Sequence, residues 1–166
     1  MGGGARKRVG DVGECTAPEV LIDRWQRMVR GAHTPENRRF MVLCGVILSS
    51  QTLSGTACKA VAALRAAARR EGDVDLTPEW LSRQSIEDVA KVVSMVNFLN
   101  NKSKFLIATA RDVKMARGRV SNTNYKRYSG IGPELAGLLR LVNTETLAQQ
   151  WCDRERDAAD LDAETT

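Results

Sequence analysis

The segment Ser129–Gly137, with the sequence SGIGPELAG, decides how this chain folds. Gly130 and Gly132 allow a positive φ and a close approach of a ligand to the backbone, and Ile131 between them is expected to turn into the protein. Pro133 suits the first position of a helix, whose free amides and dipole favour an anion such as phosphate. The sequence therefore predicts a helix–turn–helix hairpin with an anion site; a tight turn without a ligand is the alternative.

A basic stretch leads directly into this hairpin. Eight bases and one acid lie between Asn101 and Arg127. Backbone amides surrounded by Lys and Arg are what a sequence-independent phosphate contact needs. Ordinary solvated charge is the alternative. The bases proposed to contact nucleic acid are Lys102, Lys104, Lys126 and Arg127.

Composition narrows the classes of protein that fit. The 166 residues, 43% hydrophobic, are enough for one domain with its own core. No apolar run reaches the length of a membrane-spanning helix. The four cysteines form no C-x-x-C pair and His33 is the only histidine, so we expect neither a zinc site nor a His-based triad.

Charge divides the chain into three parts. Residues 1–16 form a glycine-rich basic arm, 17–151 a helical domain, and 152–166 an acidic tail that is expected to be disordered. Because the tail holds six of the 20 acids, the rest of the chain is more basic than the overall net charge of +5. A basic body suggests a polyanionic partner. The chain has no secretory signal, and we expect an intracellular location, with the mitochondrion preferred over the nucleus.

The apolar spacing is helical and no segment alternates like a strand, so the predicted fold class is all-α. The run Phe40–Leu48 suits a buried strand or helix, but the 13 residues from Glu36 to Leu48 favour a central buried helix. Other predicted helices are an N-terminal one with Leu21, Trp25 and Met28 on one face, Leu53–Arg70 capped by Thr52 or Ser54, two capped by Thr77 and Ser85, Asn101–Arg117 ended by Gly118, Ser121–Tyr128, Glu134–Val142 and Thr144–Arg156.

Three blocks of the sequence resemble one known family, and their order and approximate spacing along the chain agree with that family. The hairpin Gly130–Ala136 resembles the helix-hairpin-helix motif of endonuclease III-type (HhH-GPD) DNA glycosylases. Phe40–Thr52, ending in LSSQT, resembles their first core helix and its turn, and Val96–Ser103 resembles a third block. The resemblance covers about residues 36–150 and implies the six-helix barrel of that fold. The family's second domain, which carries its iron–sulfur cluster, is expected to be missing.

The resemblance also implies roles for particular residues. Gln51 would fill the space that an extruded base leaves in a duplex, and extrusion is needed because the sugar carbon is inaccessible in stacked DNA. Gly130, Ile131 and Gly132 would grip a backbone phosphate, with a monovalent cation at the hairpin. A polar turn residue that caps the next helix is the alternative for Gln51.

Departures from the family pattern bear on catalysis. The family's Schiff-base lysine follows the hairpin, and Glu134 occupies that position; a carboxylate cannot form an imine. Ser54 replaces an acidic residue of the turn after Gln51. Asp153 is the one candidate for the family's charge-stabilising aspartate, without the Thr-His that follows it there. Since the chain ends 14 residues after Cys152, we expect no four-cysteine iron–sulfur cluster and no other cofactor.

We expect a non-catalytic protein derived from a repair glycosylase, which binds DNA or RNA or acts as a scaffold. A repurposed subunit of a ribonucleoprotein, such as a mitochondrial ribosome, is one form of this hypothesis. The alternative is a monofunctional DNA glycosylase of base excision repair that uses Asp153 and water. A truncated gene product is a third interpretation.

Overall fold

The computed structural model describes residues 24–121 and 124–142, and this part of the chain is helical without any strand. The all-α prediction is therefore confirmed. No helix of the described part is long and apolar enough to cross a membrane. After a helical stretch at 24–28, the elements are α1 Pro35–Ser49, α2 Ser54–Arg70, α3 Pro78–Ser82, α4 Ile86–Val92, α5 Leu99–Met115, a 3₁₀ turn Tyr125–Arg127, and α6 Pro133–Val142. The basic arm, Leu21, the helix predicted over Thr144–Arg156 and the acidic tail lie outside the described residues.

The central helix α1 is the core of the bundle. Every residue from Phe40 to Leu48 is buried, and α1 packs against α2, α5 and α6. Its N-terminus is capped by Thr34, whose hydroxyl accepts the amide of Asn37 at 3.0 Å. An apolar surface on all sides is stable only where other helices cover every side, so the prediction of a buried helix is confirmed.

Side-chain caps set the starts of two short helices as predicted. The Thr77 hydroxyl accepts the amide of Trp80 at 3.1 Å, and the Ser85 hydroxyl accepts the amide of Asp88 at 3.1 Å. Each residue has extended backbone angles, as an N-cap requires. Local sequence is sufficient here because the cap and the amide it binds lie three residues apart.

The start of α2 differs from the prediction. Leu53 occupies the N-cap position and no side chain caps the helix, so the prediction of Thr52 or Ser54 was wrong. The Ser54 hydroxyl accepts a hydrogen bond from Arg24, and the Thr52 hydroxyl is bonded to residues before and within α5. Tertiary contacts use both hydroxyls.

Two boundaries in the second half of the chain also shift. Helix α5 spans Leu99–Met115, so each of its ends lies two residues before the predicted one. Gly118 follows it with a φ of +83°. The helix expected over Ser121–Tyr128 is a single 3₁₀ turn, preceded by the undescribed residues 122–123. The Tyr128 hydroxyl lies 2.6 Å from the amide of Ser121 and accepts its hydrogen bond. This bond draws the two ends of the connection together.

A buried ion pair joins α2 to the loop that follows it, and the same arginine binds the segment before α1. Arg65 donates two hydrogen bonds of 2.8 Å to the carboxylate of Asp75, and others of 2.9 and 2.8 Å to the carbonyls of Met28 and Arg30. Burial raises the pKa of the Asp75 carboxyl, but the bonds and charge of Arg65 outweigh burial and hold that pKa below its usual value. The pair therefore stabilises the folded chain only while Asp75 is ionised.

Candidate nucleic-acid interface

The glycine hairpin has the geometry that its sequence predicts. Gly130 has a φ of +84°, and Ile131 turns into the core with 6% of its surface exposed. The Gly132 carbonyl accepts the amide of Ala136 at 2.9 Å, so Gly132 is the N-cap of α6. The Ile131 amide donates to the Tyr128 carbonyl at 3.2 Å and is used inside the turn. An anion at this end would therefore bind the amides of the first turn of α6, which have no partner within the helix.

Helix α5 packs directly beneath the hairpin. A Cβ atom added at Gly130 would lie 2.7 Å from Cδ2 of Phe105 and 3.0 Å from its Cγ. Real Cβ atoms do not approach carbon atoms this closely. Gly130 is thus required for two reasons, its left-handed backbone and the ring of Phe105 against it.

A second turn joins α1 to α2 and carries Gln51. This residue is exposed and has a φ of +52°, and its carbonyl accepts the side-chain amide of Asn97 at 2.8 Å. Phe98, next in the chain after Asn97, has a φ of +54° and exposes 61% of its surface. Sequence reasoning did not single out Asn97 or Phe98, although both lie in the Val96–Ser103 block. The signal available was an aromatic residue immediately before a basic helix.

The Gln51 turn, the turn at Asn97 and Phe98, and the hairpin border one cavity of about 160 Å³. It brings Gln51 and Gly130 together, although they are far apart in sequence. The cavity is lined by both polar and apolar side chains, which suits a group with polar and apolar parts such as a base or sugar. Its lining residues are Ile47, Ser50, Gln51, Phe98, Asn101, Lys102, Phe105 and Gly130.

Lys102, which the sequence predicts to contact nucleic acid, is a buried base in the structure. It is 3% exposed, and its ammonium donates to the carbonyl of Leu48 at 2.9 Å and to the hydroxyl of Thr52 at 2.8 Å. Burial lowers the pKa of Lys102 to about 8. A phosphate on the protein surface needs an exposed cation, and the Lys102 side chain instead ties the end of α1 to the Gln51 turn.

The remaining bases have different surroundings. Lys104 is exposed, but it lines an open groove of about 410 Å³ with Arg111, beside the start of α4, and not the cavity under the hairpin. Lys126 and Arg127 are exposed immediately before the hairpin, and the Arg127 guanidinium lies 5.7 Å from the ring centre of Tyr128. The bases closest in sequence to the hairpin are therefore the ones that the structure leaves free to contact a phosphate there.

Of the two positions that bear on catalysis, Glu134 and Asp153, the structure describes only the first. Glu134 is exposed in the first turn of α6, where a negative charge suits the helix dipole. Asp153 lies outside the described residues. Within residues 24–121 and 124–142, no group of three His, Cys, Asp or Glu side chains converges on a metal site. A monovalent cation at the hairpin stays a prediction.

Comparison with known proteins identifies one family. Residues 44–161 match the family model described as HhH-GPD superfamily base excision DNA repair protein. The matched range includes the Gln51 turn, the whole of α5 and the hairpin. Among curated proteins, none matches the chain significantly.

Proposed function

Because this chain belongs to the HhH-GPD superfamily of base excision DNA repair proteins, we propose that it binds nucleic acid through the surface formed by the Gln51 turn, Phe98 and the glycine hairpin. The observation that carries this proposal is the shared cavity. Gln51 and Gly130 line it together, and exposed Phe98 stands at its rim. An exposed aromatic ring beside a polar side chain can stack on a base where a duplex is interrupted.

The hairpin contributes the affinity that does not depend on sequence. The free amides of α6 and the exposed bases Lys126 and Arg127 lie on either side of Gly130–Gly132. Backbone amides and positive side chains are the usual partners of nucleic-acid phosphates. Phosphate contacts would hold the strand, while Gln51 and Phe98 would respond to a missing or displaced base.

We further propose that binding occurs without Schiff-base chemistry. Glu134 occupies the position of the family's lysine and carries no amine. The amine of Lys102 lines the cavity, but hydrogen bonds to the Leu48 carbonyl and the Thr52 hydroxyl hold it against the end of α1. We expect these two bonds to keep it from attacking a sugar carbon. The role of Asp153 in a monofunctional glycosylase stays an alternative prediction.

The biological setting is a separate proposal. A nucleic-acid-binding domain without its nucleophile suits a scaffold or a ribonucleoprotein subunit, in the mitochondrion or the nucleus. Composition and the Glu134 substitution are what support this part. Identifying the proteins and nucleic acids that co-purify with the native chain tests it, since a ribosomal particle and a set of repair factors would point in opposite directions.

A binding titration with matched variants tests the proposed surface. The probe is a fluorescein-labelled DNA duplex with one tetrahydrofuran abasic analogue, compared with the intact duplex and with an RNA duplex. Replacing both Lys126 and Arg127 by Gln should reduce the steepness of log affinity against log salt by about 2, because each lost phosphate contact contributes about 0.9. Replacing Lys104 and Arg111 by Gln removes the same charge from the other groove. Equal effects of the two pairs, or an affinity that ignores salt, would contradict the proposal.

A further inference from the structure

A continuous chain of hydrogen bonds joins the Gln51 turn to the turn at Asn97 and Phe98, beside the cavity. The Lys102 ammonium donates to the Leu48 carbonyl at 2.9 Å and to the Thr52 hydroxyl at 2.8 Å. The same hydroxyl accepts the backbone amide of Asn97 at 3.2 Å. The Asn97 side chain then donates to the Gln51 carbonyl at 2.8 Å. These bonds run from the last turn of α1 to the residues just before α5.

Both turns hold a residue in a backbone conformation that side chains rarely adopt. The φ of Gln51 is +52° and that of Phe98 is +54°, and neither residue is glycine. Such conformations persist only where the surrounding structure imposes them. Thr52 directly follows Gln51, and Asn97 directly precedes Phe98, so the hydrogen bonds act beside both strained residues.

We propose that Lys102, Thr52 and Asn97 are positioning residues that hold Gln51 and Phe98 together as one rigid edge of the cavity. The effect on binding rests on the proposed function. An edge that is already ordered in the free protein does not have to be ordered when the ligand binds, and this increases affinity. The gain applies to an interrupted duplex, because an intact duplex offers no space for either side chain.

Thr52 is the position at which this proposal is tested, because its hydroxyl takes part in two of the four bonds. Thr52→Val keeps the shape of the side chain and removes the hydroxyl, whereas Thr52→Ser keeps the hydroxyl and is the matched control. In Thr52→Val, Lys102 retains its bond to the Leu48 carbonyl, so the buried ammonium keeps a partner. Asn97→Ala, at an exposed position, removes only the bond to Gln51 and serves if Thr52→Val does not fold.

The first measurement is amide hydrogen exchange in the free protein. Thr52→Val should accelerate exchange at least about tenfold in both 49–53 and 96–99, since losing the two hydrogen bonds of the Thr52 hydroxyl changes an opening equilibrium by at least that factor. Exchange in α2 should not change, and Thr52→Ser should behave like the wild type. Unchanged exchange in these two segments of Thr52→Val would overturn the proposal, whatever the binding data show.

The second measurement is binding to the abasic-analogue duplex and to the intact duplex. Thr52→Val should reduce the preference for the abasic duplex about tenfold and leave affinity for the intact duplex unchanged. Faster exchange with an unchanged preference would overturn the positioning role. A wild type without any preference would overturn the proposed function and this role in binding together, while the exchange data would still show whether the two turns are coupled.

Discussion

Gly130→Ala should be one of the most destabilising single-methyl changes in the hairpin. At its φ of +84°, an alanine costs about 1–2 kcal/mol because its Cβ crowds the following carbonyl. The added Cβ would also lie 2.7 Å from Cδ2 of Phe105, where carbon atoms normally stay about 3.5–4.0 Å apart. Relief of that overlap costs about 1–3 kcal/mol more. We therefore expect the free energy of unfolding to fall by about 2–5 kcal/mol.

Two other glycines separate these contributions. Gly118 has a φ of +83° and nothing within 4 Å of an added Cβ, so Gly118→Ala should cost only the backbone part. Gly132 is also open to solvent and lacks a positive φ, but it is the N-cap of α6, so Gly132→Ala should cost only the difference between the two residues at a cap, about 0.5–1 kcal/mol. The assay is urea unfolding followed by circular dichroism. The double variant Gly130→Ala/Phe105→Ala should lose about 1–3 kcal/mol less free energy of unfolding than the sum of the two single changes, because the overlap with the ring is gone. Equal costs at Gly130 and Gly118 would refute the packing argument.

The remaining predictions concern charged groups. Arg65→Met should lower the free energy of unfolding by about 3–5 kcal/mol, since it removes the buried partner of the Asp75 carboxylate and leaves only the Leu76 amide and the half-exposed Arg69 beside it; a loss below about 1 kcal/mol would mean that the pair contributes like a surface ion pair. Because the folded-state pKa of Asp75 lies below its unfolded value, its contribution is complete above about pH 4 and is lost as the pH falls further, which urea midpoints across pH will show. Glu134→Lys should tighten DNA binding modestly without restoring lyase activity, and the wild type should neither release thymine glycol nor nick abasic sites. Borohydride trapping of a covalent adduct, abolished by substituting a lysine, would overturn that expectation.

Local patterns in the sequence determined most of the helices. The caps at Thr77 and Ser85 act on amides three residues ahead, so the residues that interact are already neighbours in the chain. The apolar run Phe40–Leu48 leaves no polar side for solvent, and the 13 residues from Glu36 to Leu48 favour a helix over a strand, so the two together predict a central buried helix. The hairpin could also be predicted from local sequence, because the positive φ of Gly130 and the helix start at Pro133 depend on residues within the motif.

Only the tertiary structure decided which polar side chains face solvent. Lys102 and Lys104 are alike in the sequence, yet the first is buried against the end of α1 and the second lines an outer groove. Their positions differ because α5 turns about 200° between them, and packing selects which side faces the core. Thr52 suits a helix cap by sequence, but its hydroxyl bonds Asn97 and Lys102, which are close to it only after folding. Such contacts have no local pattern, because they join residues that the fold brings together from distant parts of the chain.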